Sequence, residues 1–173
     1  PRALFVDRVL PSGLGLAQFV AGDYRPVRSW AQVPCRVSTD PGAERVTIVC
    51  AFPSTGVATV LEKRVAFAPD GRVTVSYRWD RSVGDPDDVF AAELSLFAPL
   101  EMQAEPVADV WTFPIETVAK SERGLDHTRQ GESVTLRWPV QLGEATVGLF
   151  PASSLRSTSS TPGGHAPLQR QEK

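Results

Sequence analysis

The chain has 173 residues, 42% of them hydrophobic, with 18 basic against 20 acidic residues and a formal net charge of −2. That length suffices for one domain with its own apolar core, and the balanced charge gives no broad positive field to gather phosphates, so nucleic acid is not an expected partner. No apolar run approaches the roughly 20 residues of a membrane-spanning helix, and the charged opening PRALFVDRVL lacks the apolar centre of a signal peptide, so no membrane association and a cytoplasmic location are expected.

From the N-terminus, the first predicted element is a strand, ALFVDRVL, ending at Leu10. The stretch LGLAQFVAGDY follows and is predicted to be one short helix, with Leu14, Ala17, Gln18 and Ala21 on one side and Gly22 placed to end it. Period-two alternation then recurs in RVTIVCAF, VATVLEKRVAFA, RVTVSYRW, VFAAELSLFA, VWTFPIETV, SVTLRWPV and ATVGLF, which makes eight predicted strands in all. The clearest turn is Asp70-Gly71, where glycine supplies the positive φ that a tight hairpin demands. Beyond it Val73, Val75, Tyr77 and Trp79 fall on one face and Arg72, Thr74, Ser76 and Arg78 on the other. One face is dry and one wet, and no crossover helices separate the strands, so an all-β antiparallel sandwich is expected.

The expected domain spans residues 1–151. Residues 152–173, rich in Ser, Pro, Gly and Gln, offer little to bury and are expected to form a disordered tail, which leaves His165 outside any chemistry. The chain opens on Pro1 rather than methionine, which raises processing or excision from a longer protein as an expectation.

The inventory of reactive groups is thin. Two cysteines, Cys35 and Cys50, cannot make a zinc site or a disulfide scaffold, and are expected to be buried free thiols, with a bridge between neighbouring strands as the alternative. No metal site and no cofactor are expected. A hydrolytic triad would have to use His127, yet the sequence contains no Gly-X-Ser-X-Gly elbow, and its glycines do not follow the spacing of a phosphate-cradling loop. Among the carboxylates, Glu93 and Glu116 stand out because each interrupts an apolar strand, where an inward-facing acid needs a partner; Arg123 and Arg129 are available. Of the tryptophans, Trp79 is expected in the core, whereas Trp111 and Trp138 flank the polar stretch between two strands, where an exposed ring can stack on a sugar.

That stretch, WTFPIETVAKSERGLDHTRQG, with its Glu-Thr-Val core, Ser-Glu, Gly and later Gln-Gly, resembles the C-terminal domain of the 4-α-glucanotransferases and α-amylase-like enzymes of glycoside hydrolase family 57. RALFVDRVLP with LAQFVAGDYRPV, and VFAAELSLF, resemble further parts of the same domain in the same order. Where that family commonly has Asp-His-Phe near the start, this chain has Asp7, Arg8 and Val9.

The resemblance implies a β-sandwich of the galactose-mutarotase-like type. It also implies that the nucleophile and acid of the family's retaining mechanism belong to an N-terminal barrel, so no catalytic residue is carried over. The resulting expectation is a non-catalytic accessory domain of α-glucan metabolism that packs on a catalytic barrel or binds an α-glucan or maltooligosaccharide. Expected contact residues are Glu93, Trp111, Glu116, Arg123, Arg129, Gln130 and Trp138. In particular, Glu116, Arg123, Arg129 and Gln130 are expected to fix the shape of an ordered loop between VWTFPIETV and SVTLRWPV. The alternatives are a stand-alone mutarotase-like sugar enzyme with Glu93 or Glu116 as base, and an assembly domain that binds no sugar.

Overall fold

Short strands that alternate apolar and polar side chains make sheets with one dry face, and two such sheets exclude water by packing those faces together. The computed structural model describes residues 5–41, 46–53, 59–98, 100–121 and 124–151. In chain order the elements are β1 (Val6–Leu10), α1 (Leu16–Ala21), β2 (Arg28–Ser29), β3 (Arg36–Pro41), β4 (Val46–Pro53), β5 (Thr59–Phe67), β6 (Val73–Trp79), β7 (Val89–Leu96), β8 (Glu101–Glu105), β9 (Asp109–Ser121), β10 (Gly124–Pro139) and β11 (Glu144–Phe150). They form a five-stranded sheet in the order β2-β1-β7-β10-β9 and a six-stranded sheet in the order β3-β4-β5-β6-β11-β8. Neighbours in both sheets pair antiparallel. This is the expected β-sandwich. Among the described residues no helix is long and apolar enough to cross a membrane.

The core between the sheets is centred on aromatic rings. Phe90 of β7 is fully buried and stacks on Trp79 of β6 at 4.1 Å between centroids, with Tyr77 edge-on at 5.4 Å and Trp30 and Trp138 tilted around it. Two of the buried indole N–H groups donate to carbonyls: Trp79 Nε1 to Val140 O at 2.7 Å, and Trp138 Nε1 to Pro106 O at 2.8 Å. An indole left without a partner there would lose a hydrogen bond to water for nothing. Val73, Val75, Tyr77 and Trp79 share the inward face of β6 as the alternation predicts. At the hairpin before it, Gly71 has φ 81°, Asp70 Oδ1 accepts from the Arg72 amide, and Ala68 N donates to Arg72 O.

Three strands were not anticipated. β2 has only two residues, every residue of β3 is exposed, and β8 (Glu-Met-Gln-Ala-Glu) has charged ends, so none shows a strong period-two signal. The helix forms where predicted and ends at Gly22, with φ 71°, but its buried residue is Phe19, with Leu14 half-buried before it; Ala17, Gln18 and Ala21 are exposed. The ring of Phe19 has far more apolar area to remove from water than alanine has, and it turns the helix so that Phe19 meets Leu10, Ala91, Trp111 and Phe113. Cys35 and Cys50 are free thiols, half-buried rather than fully enclosed. The expected tail at 152–173 lies outside the described residues.

Candidate ligand and partner surface

The outer face of the five-stranded sheet carries two of the expected contact residues, Glu93 and Trp111. β7 turns Phe90, Ala92 and Leu94 inward, so Ala91 and Glu93 point out; β10 turns Val134, Leu136 and Trp138 inward, so Ser133, Thr135 and Arg137 point out. The register then places Trp111 beside Thr135 and Phe113 beside Ser133. α1 lies over one end of this face.

Glu93 sits at its centre, opposite Thr135 on one side and Val6 on the other. Arg8 Nη1 donates to Glu93 Oε2 at 2.5 Å and Ser133 Oγ to Oε1 at 2.9 Å. The expected need for a partner is real, but the partner is Arg8 from β1; sequence reasoning pointed to Arg123 and Arg129 because an arginine 85 positions upstream gives no local signal. Both Glu93 oxygens are engaged, so this carboxylate is held as a fixed acceptor. The Arg8 and Glu93 side chains keep 21% and 17% exposure, which leaves polar atoms accessible to a hydroxylated ligand or partner backbone. Tyr24 stands next to the pair; burial raises its phenol pKa, Arg8 opposes that and Glu93 adds to it.

Trp111 is half-buried and already has company. The Arg137 guanidinium carbon lies 3.5 Å from its ring centroid, Phe19 lies 5.4 Å away, and Asp109 holds Arg137 at 3.1 Å. A guanidinium so placed is attracted by the ring quadrupole and fixes the indole's position. The result is an amphipathic wall of Phe19, Tyr24, Trp111 and Phe113 beside the Arg8–Glu93 pair. Trp138 does not join it. At 1% exposure Trp138 belongs to the core and presents no ring face to solvent, because its position on β10 alternates inward with Val134 and Leu136.

The expected loop between VWTFPIETV and SVTLRWPV is instead a two-stranded ribbon. β9 and β10 pair from Arg137↔Asp109 through Gly124↔Ser121, well past the last partner of β7, so residues 116–120 and 124–130 extend beyond the sandwich with their side chains exposed. With both faces wet, apolar and polar residues need not alternate, and the sequence looked like a loop. One face carries Glu116, Val118, Lys120, Leu125, His127 and Arg129; Val118 and Leu125 are 55% and 67% exposed.

Cross-ribbon contacts come from the residues singled out in the sequence. His127 Nδ1 lies 3.3 Å from Glu116 Oε2 and Gln130 Nε2 donates to Thr117 Oγ1 at 3.1 Å, whereas Arg129 reaches Glu132 on its own strand at 4.0 Å. Arg123 lies outside the described residues. At the ribbon's root a bulge between Arg129 and Gly131 shifts the register, and a Cβ built on Gly131 would sit 2.3 Å from the Leu96 carbonyl oxygen. The Gln-Gly pair therefore serves the backbone: only glycine lets β10 approach β7 that closely.

A second polar cluster lies inside the sandwich, and sequence reasoning missed it. Lys63 Nζ donates to Asp7 Oδ2 at 2.5 Å and to Phe5 O at 3.2 Å, with Asp7 only 2% exposed. Tyr77 Oη and Asp7 Oδ1 are buried in this cluster, where the phenol interacts with the carboxylate. Burial raises the Asp7 pKa despite the opposing pull of Lys63, and raises that of Tyr77 well above the ordinary phenol. The signal available in the sequence was a charge at an inward position of β1 and another of opposite sign at an inward position of β5. Among the described residues no group of three or more His, Cys, Asp and Glu could hold a metal ion.

The fold and surface define a class: an antiparallel β-sandwich with an amphipathic outer wall and a projecting ribbon. Residues 95–147, which include the described part of the ribbon, match the family model described as the C-terminal domain of alpha-amylase/4-alpha-glucanotransferase. An α-amylase of Pyrococcus horikoshii is 37% identical over 46 residues, covering 27% of this chain and 7% of the relative. A 4-α-glucanotransferase of Thermococcus litoralis is 33% identical over 61 residues, covering 32% of this chain and 9% of the relative. The crystal structure of 4-α-glucanotransferase from Thermococcus litoralis superposes with a TM-score of 0.59 at 20% identity, over 86% of this chain and 27% of that one. The resemblance read from the sequence is thus found by independent comparison. The chain is similar to one C-terminal domain of these proteins and spans about a quarter of the solved relative's length.

Proposed function

We propose that the chain is a non-catalytic accessory domain of α-glucan metabolism, of the kind found in glycoside hydrolase family 57, which docks on a catalytic domain and helps hold glucan chains there. The observation that carries this reading is the disproportion of the structural match: most of this chain superposes on about a quarter of a 4-α-glucanotransferase. The outer wall supports it chemically. Aromatic surface beside a fixed arginine–carboxylate pair offers stacking and hydroxyl-directed hydrogen bonds together, which is what a sugar ring presents to be recognised. The ribbon gives a second contact surface, with Glu116 and Gln130 bracing it, Arg129 displayed on it, and Val118 and Leu125 exposed.

Glu93 in this reading orients a ligand or partner. Its two hydrogen bonds leave it poorly suited to the alternative role of a catalytic base. The test has two arms: titration calorimetry with maltooligosaccharides and glycogen, and co-purification with a separately produced 4-α-glucanotransferase catalytic domain. Binding in either arm is expected, and its loss in Glu93→Ala with Trp111→Ala would locate it on the outer wall. Absence of binding in both arms overturns the proposal.

A further inference from the structure

The two cysteines, fifteen positions apart in the sequence, are brought near each other by the β3–β4 pairing. Val37 is the ladder partner of Cys50, and Arg36 that of Ala51, so Cys35 stands diagonally across from Cys50 on the same face of the β3–β4 pair. Both pack against the core, and the two thiols interact. Cys35 precedes the first residue of β3, so no ladder pairing fixes its backbone, and among the described residues β3 is an edge strand joined only to β4. Diagonal neighbours in an antiparallel pair sit somewhat farther apart than a disulfide spans, and a residue just outside the ladder can close that gap.

Cys50 is also reachable. It lines a cavity of about 420 Å³ together with Phe5, Ile48, Lys63, Val65 and Leu149, and Lys63 is its direct partner on β5. Burial is the largest influence on the Cys50 thiol and raises its pKa, Cys35 adds to that, and the neighbouring Lys63 ammonium opposes it. At neutral pH Cys50 therefore rests as a thiol.

We propose that Cys35 and Cys50 form a reversible redox site that a low-molecular-weight disulfide converts to an intramolecular bond, stapling the edge strand β3 to β4. The Cys50 thiolate attacks one sulfur of the small disulfide, expelling one small thiol and leaving a mixed disulfide on Cys50. The Cys35 thiolate then attacks Cys50 Sγ and expels the second small thiol. Two protein thiols lose two electrons and two protons, and the small disulfide is reduced to two thiols.

The test incubates the full chain with oxidised glutathione, alkylates remaining thiols, and reads the intact mass and the cross-linked peptide. The expected product is a monomer without adduct, lighter than the dithiol by about 2 Da and closed to alkylation. A reductant restores both thiols. Cys35→Ser is expected to stop at one glutathione adduct on Cys50. Two alkylatable thiols after prolonged incubation, a stable mixed disulfide on the unmutated chain, or a disulfide-linked dimer would each overturn the proposal. Because the unmutated chain alone decides the matter, a variant that fails to fold does not blunt the test.

Discussion

The pair formed by Asp7 and Lys63 illustrates what one inward-facing charge demands. Asp7 is almost wholly enclosed, so removing it strands an ammonium in the sandwich; Asp7→Ala is expected to cost about 3–5 kcal/mol in urea unfolding, whereas Asp7→Leu with Lys63→Met is expected to cost less than Asp7→Ala alone. Burial is the largest influence on Asp7 and sets its folded pKa above the ordinary 3.8. Between 3.8 and that raised value the folded chain keeps a proton that the unfolded chain has released, so the contribution of Asp7 to stability falls as pH rises through this window. Asp7→Asn removes the titration and should flatten that part of a stability-against-pH curve. An equally steep decline in Asp7→Asn would show that another group is responsible. In the sequence Asp7 was noted only as part of a divergent opening motif. Its role depends on a lysine 56 positions away, and no periodicity along β1 can reveal which strand lies opposite across the core.

At the scale of elements, what was legible is what alternates. β6 was readable residue by residue because one of its faces is dry, and the Asp70-Gly71 turn fixed its pairing with β5. The ribbon of β9 and β10 was not, since nothing covers either face among the described residues; its Glu-Thr-Val and Gln-Gly signatures were visible while its conformation was hidden. The structure turns the second signature into a prediction. Gly131→Ala forces a methyl into the Leu96 carbonyl and is expected to destabilise the chain by about 1–3 kcal/mol, measured by urea unfolding. The outer half of the ribbon should behave in the opposite way. A two-stranded ribbon is marginal on its own and these side chains bury little, so replacing 117–128 with a two-residue turn should leave the unfolding midpoint within a few degrees. If the same replacement abolishes capture of the catalytic domain, the ribbon is a docking element. A large fall in midpoint would mean that it belongs to the folding unit.

The whole molecule depends on one aromatic stack between its sheets. Phe90 is in ring contact with Trp30, Tyr77, Trp79 and Trp138, and these come from both sheets and from the connection after β2. Phe90→Ala is expected to cost about 3–5 kcal/mol and to loosen the two sheets together, seen as a single cooperative transition shifted to lower denaturant. A split transition, with one sheet outlasting the other, would contradict that coupling. The placement of the indoles has an optical consequence. Three of the four tryptophans, Trp30, Trp79 and Trp138, are at most 5% exposed, and Trp111 alone reaches the surface. Acrylamide should therefore quench one emitter readily and the other three poorly, and the accessible one reports from the outer wall itself. A glucan or partner seated there would shield Trp111 from the quencher, so a curved Stern–Volmer plot that straightens on ligand addition would register occupancy without any label.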